Sequence, residues 1–217
     1  MEEKVKQEIH CGGFPIMVYK SEHILTDKEY EVLISRDYSY HMRKDEPNCG
    51  LITTEHYVLD NPELANVKKD IENHLRNYTW ALMKINNPFI ITNSWCTRNP
   101  KGATHHKHSH PNSIFSGVYY ADAESGDITF SWPTTFSKNF NFDYDYWALN
   151  EFNSQEYVLS PRSGDIVIFP SWIDHSVSQN TGDNDRIVLG FNSFVTGELG
   201  TTDINTYLNL KTKNAEH

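Results

Sequence analysis

The sequence predicts a mainly β fold with some helix (α+β): a double-stranded β-helix, or jelly roll, with N-terminal helices packed on one sheet. Two observations carry this. From about Phe89 onward the chain breaks into six short β-like runs separated by turn residues. Before that point the one long periodic stretch is helical, with an apolar stripe of the kind that covers a sheet.

Pro15 to Tyr19 reads as a short strand. Thr26-Asp27-Lys28-Glu29 is a capping box ahead of Tyr30, Leu33 and Ile34, and it predicts a short helix. A second helix starts with Asn61 as N-cap and Pro62 in its first turn. Leu64, Val67, Ile71, Leu75, Tyr78 and Leu82 then recur at helical spacing. The β-like runs are Phe89–Cys96, Ser113–Ala121, Asp127–Trp132, Gln155–Leu159, Asp165–Phe169 and Ile187–Phe194, and several are apolar on both faces. Such strands need cover on each side, from a second sheet and from helices. Asn99-Pro100-Lys101-Gly102, Ser125-Gly126, Ser160-Pro161-Arg162-Ser163-Gly164 and Asn180-Thr181-Gly182-Asp183 supply the turns. A cupin-like sandwich is the natural assembly.

We therefore expect a single domain over 1–217. Mixed α/β elements over 1–88 would support a core over 89–196. That core carries a polar, aromatic insertion at 134–153, and a tail follows at 197–217. No repeat, low-complexity tract or Gly/Ser linker marks a boundary. Charged residues at 22% and hydrophobic ones at 38% are the balance of a folded globular chain. A net charge of −10 argues against a general binder of nucleic acid or anionic membrane, whose affinity rests on Lys and Arg. Cys11, Cys49 and Cys96 are widely spaced and form no CxxC, which suits free thiols in a reducing compartment. The charged start Met1-Glu2-Glu3-Lys4-Val5-Lys6 leads into no long apolar run, and a cytoplasmic location is expected.

His105-His106-Lys107-His108-Ser109-His110 packs four of the eleven histidines into six residues. In an extended segment, residues two apart share a face, so an H-x-H pair can offer two imidazoles to one divalent cation. The alternative is a solvated polar loop whose histidines only hydrogen-bond. Downstream, Gly164-Asp165 opens the apolar run to Pro170; Asp174-His175-Ser176-Val177 and Arg186-Ile187-Val188-Leu189-Gly190-Phe191-Asn192 follow. Taken alone, His175 is more readily a structural histidine. Its position downstream of an H-x-H pair is what makes it a candidate ligand.

The region from about Trp95 to Phe194 resembles the 2-oxoglutarate/Fe(II)-dependent oxygenase superfamily, and most closely a branch found in bacteria and tailed phages. Prolyl-hydroxylase-like members carry an Arg, a Gly four residues on, and the first iron-binding His six after that. Arg98, Gly102 and His108 keep this spacing. The resemblance thus selects His108 and His110 over His105 and His106. It makes His175 the distal ligand and assigns Arg186 the far carboxylate of 2-oxoglutarate. One departure stands out: the usual H-x-D motif is here H-x-H, followed by Pro111 as is habitual in the closest branch. Three neutral ligands leave the centre more positive than a carboxylate triad does. Asp122 and Asp127 are held as substitute carboxylate ligands.

The resemblance implies Fe(II) as cofactor and 2-oxoglutarate and O₂ as small-molecule cosubstrates. Hydroxylation of a substrate C–H bond would accompany release of succinate and CO₂. Tyr119 and Tyr120 point to opposite faces of one strand, so only one reaches a pocket; either could contact the cosubstrate or simply pack in the core, and Tyr120 is carried as the candidate contact. Asn93 and Asn192 lie on inner strands, where an amide needs a partner, and are carried as candidates near the cosubstrate or behind the ligands. Trp95, Trp132 and Trp172 are read as core or rim. Two other readings use the same histidines: a cupin-like three-His metalloprotein that does not use 2-oxoglutarate, and a non-enzymatic structural protein that keeps the fold. The first has no need of Arg186, and the second forms no succinate.

Overall fold

Every position of the segment Asp165–Pro170 is buried, which requires a layer on each side of it. In the computed structural model, which describes residues 5–11, 14–40, 50–131, 147–148, 154 and 156–211, this segment is β10 of an eight-stranded sheet. The other members are β1 (Val5–Cys11), β2 (Phe14–Lys20), β3 (Tyr38–Tyr40), β4 (Leu51–Thr53), β5 (Phe89–Asn99), β7 (Phe115–Asp122) and β12 (Arg186–Val195). Across the sheet they run β1-β2-β10-β7-β12-β5-β4-β3, with every neighbour antiparallel. A second sheet contains β6 (His105–His108), β8 (Ile128–Ser131), β9 (Glu156–Leu159) and β11 (Asp174–Val177) in the order β6-β11-β8-β9. From β5 to β12 the chain winds between the two sheets, and the expected double-stranded β-helix results.

Helices cover the outer face of the large sheet. α1 (Asp27–Ile34) begins on Thr26, whose side chain accepts from the Glu29 N–H while Glu29 reaches back to the Thr26 N–H. α2 (Ala65–Arg76) carries the stripe. Leu33, Leu64, Val67, Ile71, Leu75 and Tyr78 pack with Tyr19, Cys96, Tyr119, Ile166, Ile168 and Leu189. The alternate residues Val18, Tyr120, Val167 and Phe169 turn inward to meet Ile128, Phe130 and Ile173. Period-two alternation thus divides Tyr119 from Tyr120 and Ile166 from Val167. Burying such apolar side chains contributes roughly 1.5–3 kcal/mol each.

The second helix departs from the sequence expectation at both ends. Pro62–Leu64 is a 3₁₀ turn, and Asn77–Leu82 is π-helical. Within the π turn the Thr79 hydroxyl donates to the Leu75 carbonyl at 3.0 Å, a side-chain bond of the kind that loosens the regular ladder. The Met83 N–H then bonds the Tyr78 carbonyl, five residues back. Short polar strands β6 and β11, and the pair β3 and β4, have no counterpart among the predicted runs. In the expected tail, β13 (Gly197–Leu199) pairs with β14 (Leu208–Leu210). Of the expected insertion at 134–153 only 147–148 are described, and Trp132 and Gln155 also lie outside the described residues. Among the described residues no helix is long and apolar enough to cross a membrane.

At Gly117 in β7 the two flanking strands, β10 and β12, leave no room for a side chain. A Cβ there would sit 2.3 Å from Phe191 Cζ and 2.8 Å from the Val167 carbonyl oxygen. Gly117→Ala is therefore expected to lower stability by about 1–3 kcal/mol through overpacking. An unchanged urea midpoint would contradict this packing.

Candidate metal centre and the pocket beside it

β6 and β11 are hydrogen-bonded neighbours, and their register sets His108 opposite His175 with ring centroids 4.3 Å apart. His110 lies just past the end of β6. Its N–H donates to the Ser171 carbonyl at 2.8 Å, which ties the loop to the turn after β10. The His110 ring is 5.2 Å from that of His108 and 5.0 Å from that of His175. One nitrogen from each of the three lies within 4.8 Å of the others.

The outer nitrogens decide the tautomers. His108 Nδ1 is 2.9 Å from the His106 carbonyl oxygen, His175 Nδ1 is 3.1 Å from that of Ile173, and His110 Nδ1 is 2.8 Å from Asn192 Oδ1. Such oxygens only accept, so each Nδ1 carries the proton and each Nε2 keeps its lone pair. The Nε2 atoms of His108 and His110 are 3.3 Å apart. Three lone pairs converging on one point suit a borderline divalent cation.

Burial favours the same state. Desolvation, then the neighbouring His108 and His110, holds the His175 ring down at about 3. Desolvation lowers His110 to about 4 against the opposing hydrogen bond to Asn192. His108 is also lowered, chiefly by desolvation. All three are thus neutral near pH 7, as ligation requires. A second triplet, His105, His106 and His108, also brings its nitrogens together, but it shares His108 and its middle member is exposed.

The histidines wall one end of a pocket to which Thr97, Asn99, Tyr120 and Arg186 contribute polar groups. Arg186 opens β12 opposite Asn99 and is only 3% exposed. Its Nη1 is buried without a hydrogen-bond partner. Among the described residues no carboxylate pairs with it, and burial lowers its pKa. The guanidinium lies over Gly126 (φ +94°), where a Cβ would fall 1.6 Å from Nη1. Tyr120 is pushed up by burial, against the effect of nearby Arg186, and stays a phenol.

Other expected residues are placed elsewhere. Asn93 is half-buried, accepts from Thr92 Oγ1 at 3.4 Å, and does not line the pocket. Asn192 sits behind His110 and does not line it either. Asp122 accepts from the Tyr30 hydroxyl at 3.1 Å, and the Asp127 N–H is held by Ser178. Neither carboxylate joins the histidines. Arg98 pairs with Asp185 at 2.6 Å. His105, which the motif spacing sets aside, lines the pocket. A register irregularity sets Val177 opposite His105 while His175 faces His108, and the extra residue turns His105 inward.

Residues 93–192 match the model of the family described as "Putative 2OG-Fe(II) oxygenase", a span that includes the three histidines and Arg186. A search of curated proteins gave no match. Among solved structures, the chain is similar to an oxidoreductase of the 2OG-Fe(II) oxygenase family from Burkholderia pseudomallei, at 12% identity over 82% of this chain and 83% of that one, with a TM-score of 0.55. The non-heme alpha ketoglutarate dependent epimerase SnoN from nogalamycin biosynthesis aligns at 11% identity over 88% and 82%, with a TM-score of 0.58. HygX from Streptomyces hygroscopicus, solved with nickel and 2-oxoglutarate bound, aligns at 14% identity over 90% and 92%, with a TM-score of 0.53. At these identities the likeness is one of fold.

Proposed function

From the match of residues 93–192 to the 2OG-Fe(II) oxygenase family, we propose that His108, His110 and His175 hold Fe(II) and that Arg186 anchors 2-oxoglutarate. The reaction is the oxidative decarboxylation of 2-oxoglutarate by O₂ coupled to hydroxylation of a substrate C–H bond. One oxygen atom goes to the product and the other to succinate, with CO₂ released. The metal supplies the redox chemistry, and the chain supplies ligands, orientation and a shielded pocket.

The observation that carries this reading is the buried, unpaired Nη1 of Arg186 in the same pocket as three converging imidazoles. A desolvated guanidinium without an anion is costly, and a carboxylate fits its planar fork. Tyr120, buried beside it and un-ionised, offers a hydroxyl to the same anion. The three ligands are uncharged, so the metal's positive charge is left to attract a dianionic keto acid. A cytoplasmic setting is part of the proposal and draws on Cys96, a buried free thiol. Carriage by a bacterium or tailed phage is proposed on the resemblance alone.

Adding Fe(II) and 2-oxoglutarate to the apo-protein without oxygen is expected to produce a visible charge-transfer band. The band should be absent when succinate replaces the keto acid, and lost in His110→Ala. Stoichiometric metal with no band would overturn the reading in favour of a cupin-like three-His protein that does not use 2-oxoglutarate.

A further inference from the structure

We infer that Asn192 is a positioning residue for His110, locked in place by a relay of buried serines, and that its neutrality keeps the metal centre more positive than a carboxylate partner would. The inference rests on the three-histidine reading above.

The contact of 2.8 Å between His110 Nδ1 and Asn192 Oδ1 admits one protonation state. An amide oxygen has no hydrogen to give, so an unprotonated Nδ1 would set two lone pairs against each other. Asn192 therefore obliges His110 to carry its proton on Nδ1 and to present Nε2 to the pocket. Behind this contact the Ser116 hydroxyl is 2.7 Å from Asn192 Oδ1 and 2.9 Å from His110 Nδ1. Ser116 Oγ is 2.7 Å from Ser171 Oγ, which in turn is 2.7 Å from Ser113 Oγ. Ser113 ends the chain on the carbonyls of Phe115 at 3.1 Å and Ser193 at 3.2 Å.

Both ends of this network are acceptors, so the ring N–H of His110 enters it as a donor. Ser116 and Ser171 are fully buried. Hydroxyls in such a place destabilise the fold unless every one is partnered, and here they are. The network spans four elements: the loop before β7, β7 itself, the turn after β10, and β12. His110 lies beyond the end of its strand, where no ladder holds its ring. The relay supplies the rigidity that β6 does not.

The identity of the acceptor matters as much as its position. A carboxylate behind a metal-bound imidazole makes the ring a stronger donor and subtracts a charge from the centre. An amide fixes the same tautomer and subtracts none.

The test uses the full chain with Co(II) alone, and with Fe(II) plus 2-oxoglutarate without oxygen. Asn192→Leu is expected to weaken Co(II) binding roughly 10–100-fold, read from the metal's visible absorption, with the far-ultraviolet circular dichroism unchanged. Asn192→Asp is expected to restore wild-type Co(II) affinity or better. It should also move the iron–keto acid charge-transfer band to longer wavelength, because a more electron-rich iron gives up its electron at lower energy. A merely structural asparagine would not move that band. If Asn192→Leu fails to fold, the band position in Asn192→Asp decides alone. A folded Asn192→Leu that binds Co(II) like wild type, or an Asn192→Asp whose band is unshifted, overturns the inference. Wild-type protein that binds no Co(II) and gives no band overturns the three-histidine reading itself, which is a separate result.

Discussion

His175→Ala is expected to lose metal binding by more than the roughly 10–100-fold that removal of a supporting partner costs, because one of the three proposed ligand nitrogens goes. The loss should appear without any assay of turnover. A ligand that binds only the folded state raises stability by RT ln(1 + [L]/Kd), so Co(II) should raise the wild-type unfolding midpoint and leave that of the variant in place. The apo-proteins provide a second readout with a definite sign. His175 is held at about 3 when folded, against about 6.5 in an unfolded chain. Between these values the unfolded chain binds the extra proton, so stability falls as pH drops. For one such histidine the loss from pH 6.5 to pH 5 is roughly 1.5 kcal/mol. Alanine costs stability at pH 7 by removing a ring packed 4.8 Å from that of Phe169. The gap between variant and wild type should therefore narrow by about that amount on acidification. Urea titrations at the two pH values measure it, and a constant gap would contradict the buried neutral imidazole.

How far the sequence reveals this molecule depends on where each constraint resides. β7, β10 and β12 were legible because burial on both faces forces apolar runs, and those runs are a property of the residues themselves. β6 (His105–His108) and β11 (Asp174–Val177) are polar and four residues long, and their strand character comes from the register with their neighbours. Propensity has no purchase there. The stripe from Leu64 to Leu82 announced a helix, but its π-helical end is set by a shift of one residue in the backbone hydrogen bonds, which leaves the apolar spacing unchanged.

The site divides the same way. The structure brings His108, His110 and His175 together, and of the two tyrosines that alternation separates it is Tyr120 that lines the pocket. His105 reached the pocket through an irregularity of register that no residue type signals. Asn192 shows the subtler gap. An amide on an inner strand does need a partner, yet the sequence does not say which, and the structure gives it His110 in place of the cosubstrate. Asn93, its register partner on β5, accepts instead from Thr92. Thr97 and Asn99 line the pocket on the same face of β5 as Trp95, a pattern visible in the alternation once that face is known to point inward.

Arg186→Met should separate stability from function at a single position. In the apo-protein the guanidinium is buried with Nη1 unpartnered, and an apolar side chain of similar length removes that desolvation cost. The variant is therefore expected to be at least as stable as wild type, by about 1 kcal/mol or more. Affinity for 2-oxoglutarate in the iron-loaded, oxygen-free protein should move the opposite way. Losing one partner of a buried, hydrogen-bonded charge pair costs roughly 2–5 kcal/mol, which is at least about 30-fold in Kd. Arg186→Lys keeps the charge but not the planar fork and should fall between. Gly126→Ala leaves every polar group intact and places a methyl group where Nη1 now lies, so it too should weaken the keto acid without weakening Co(II). Calorimetric titration of wild type and the three variants gives the four affinities, and urea unfolding gives the stabilities. Wild-type affinity in Arg186→Met would remove Arg186 as the anchor. A less stable apo-variant would mean that the guanidinium serves the fold, and the unpaired nitrogen would then no longer argue for a bound carboxylate.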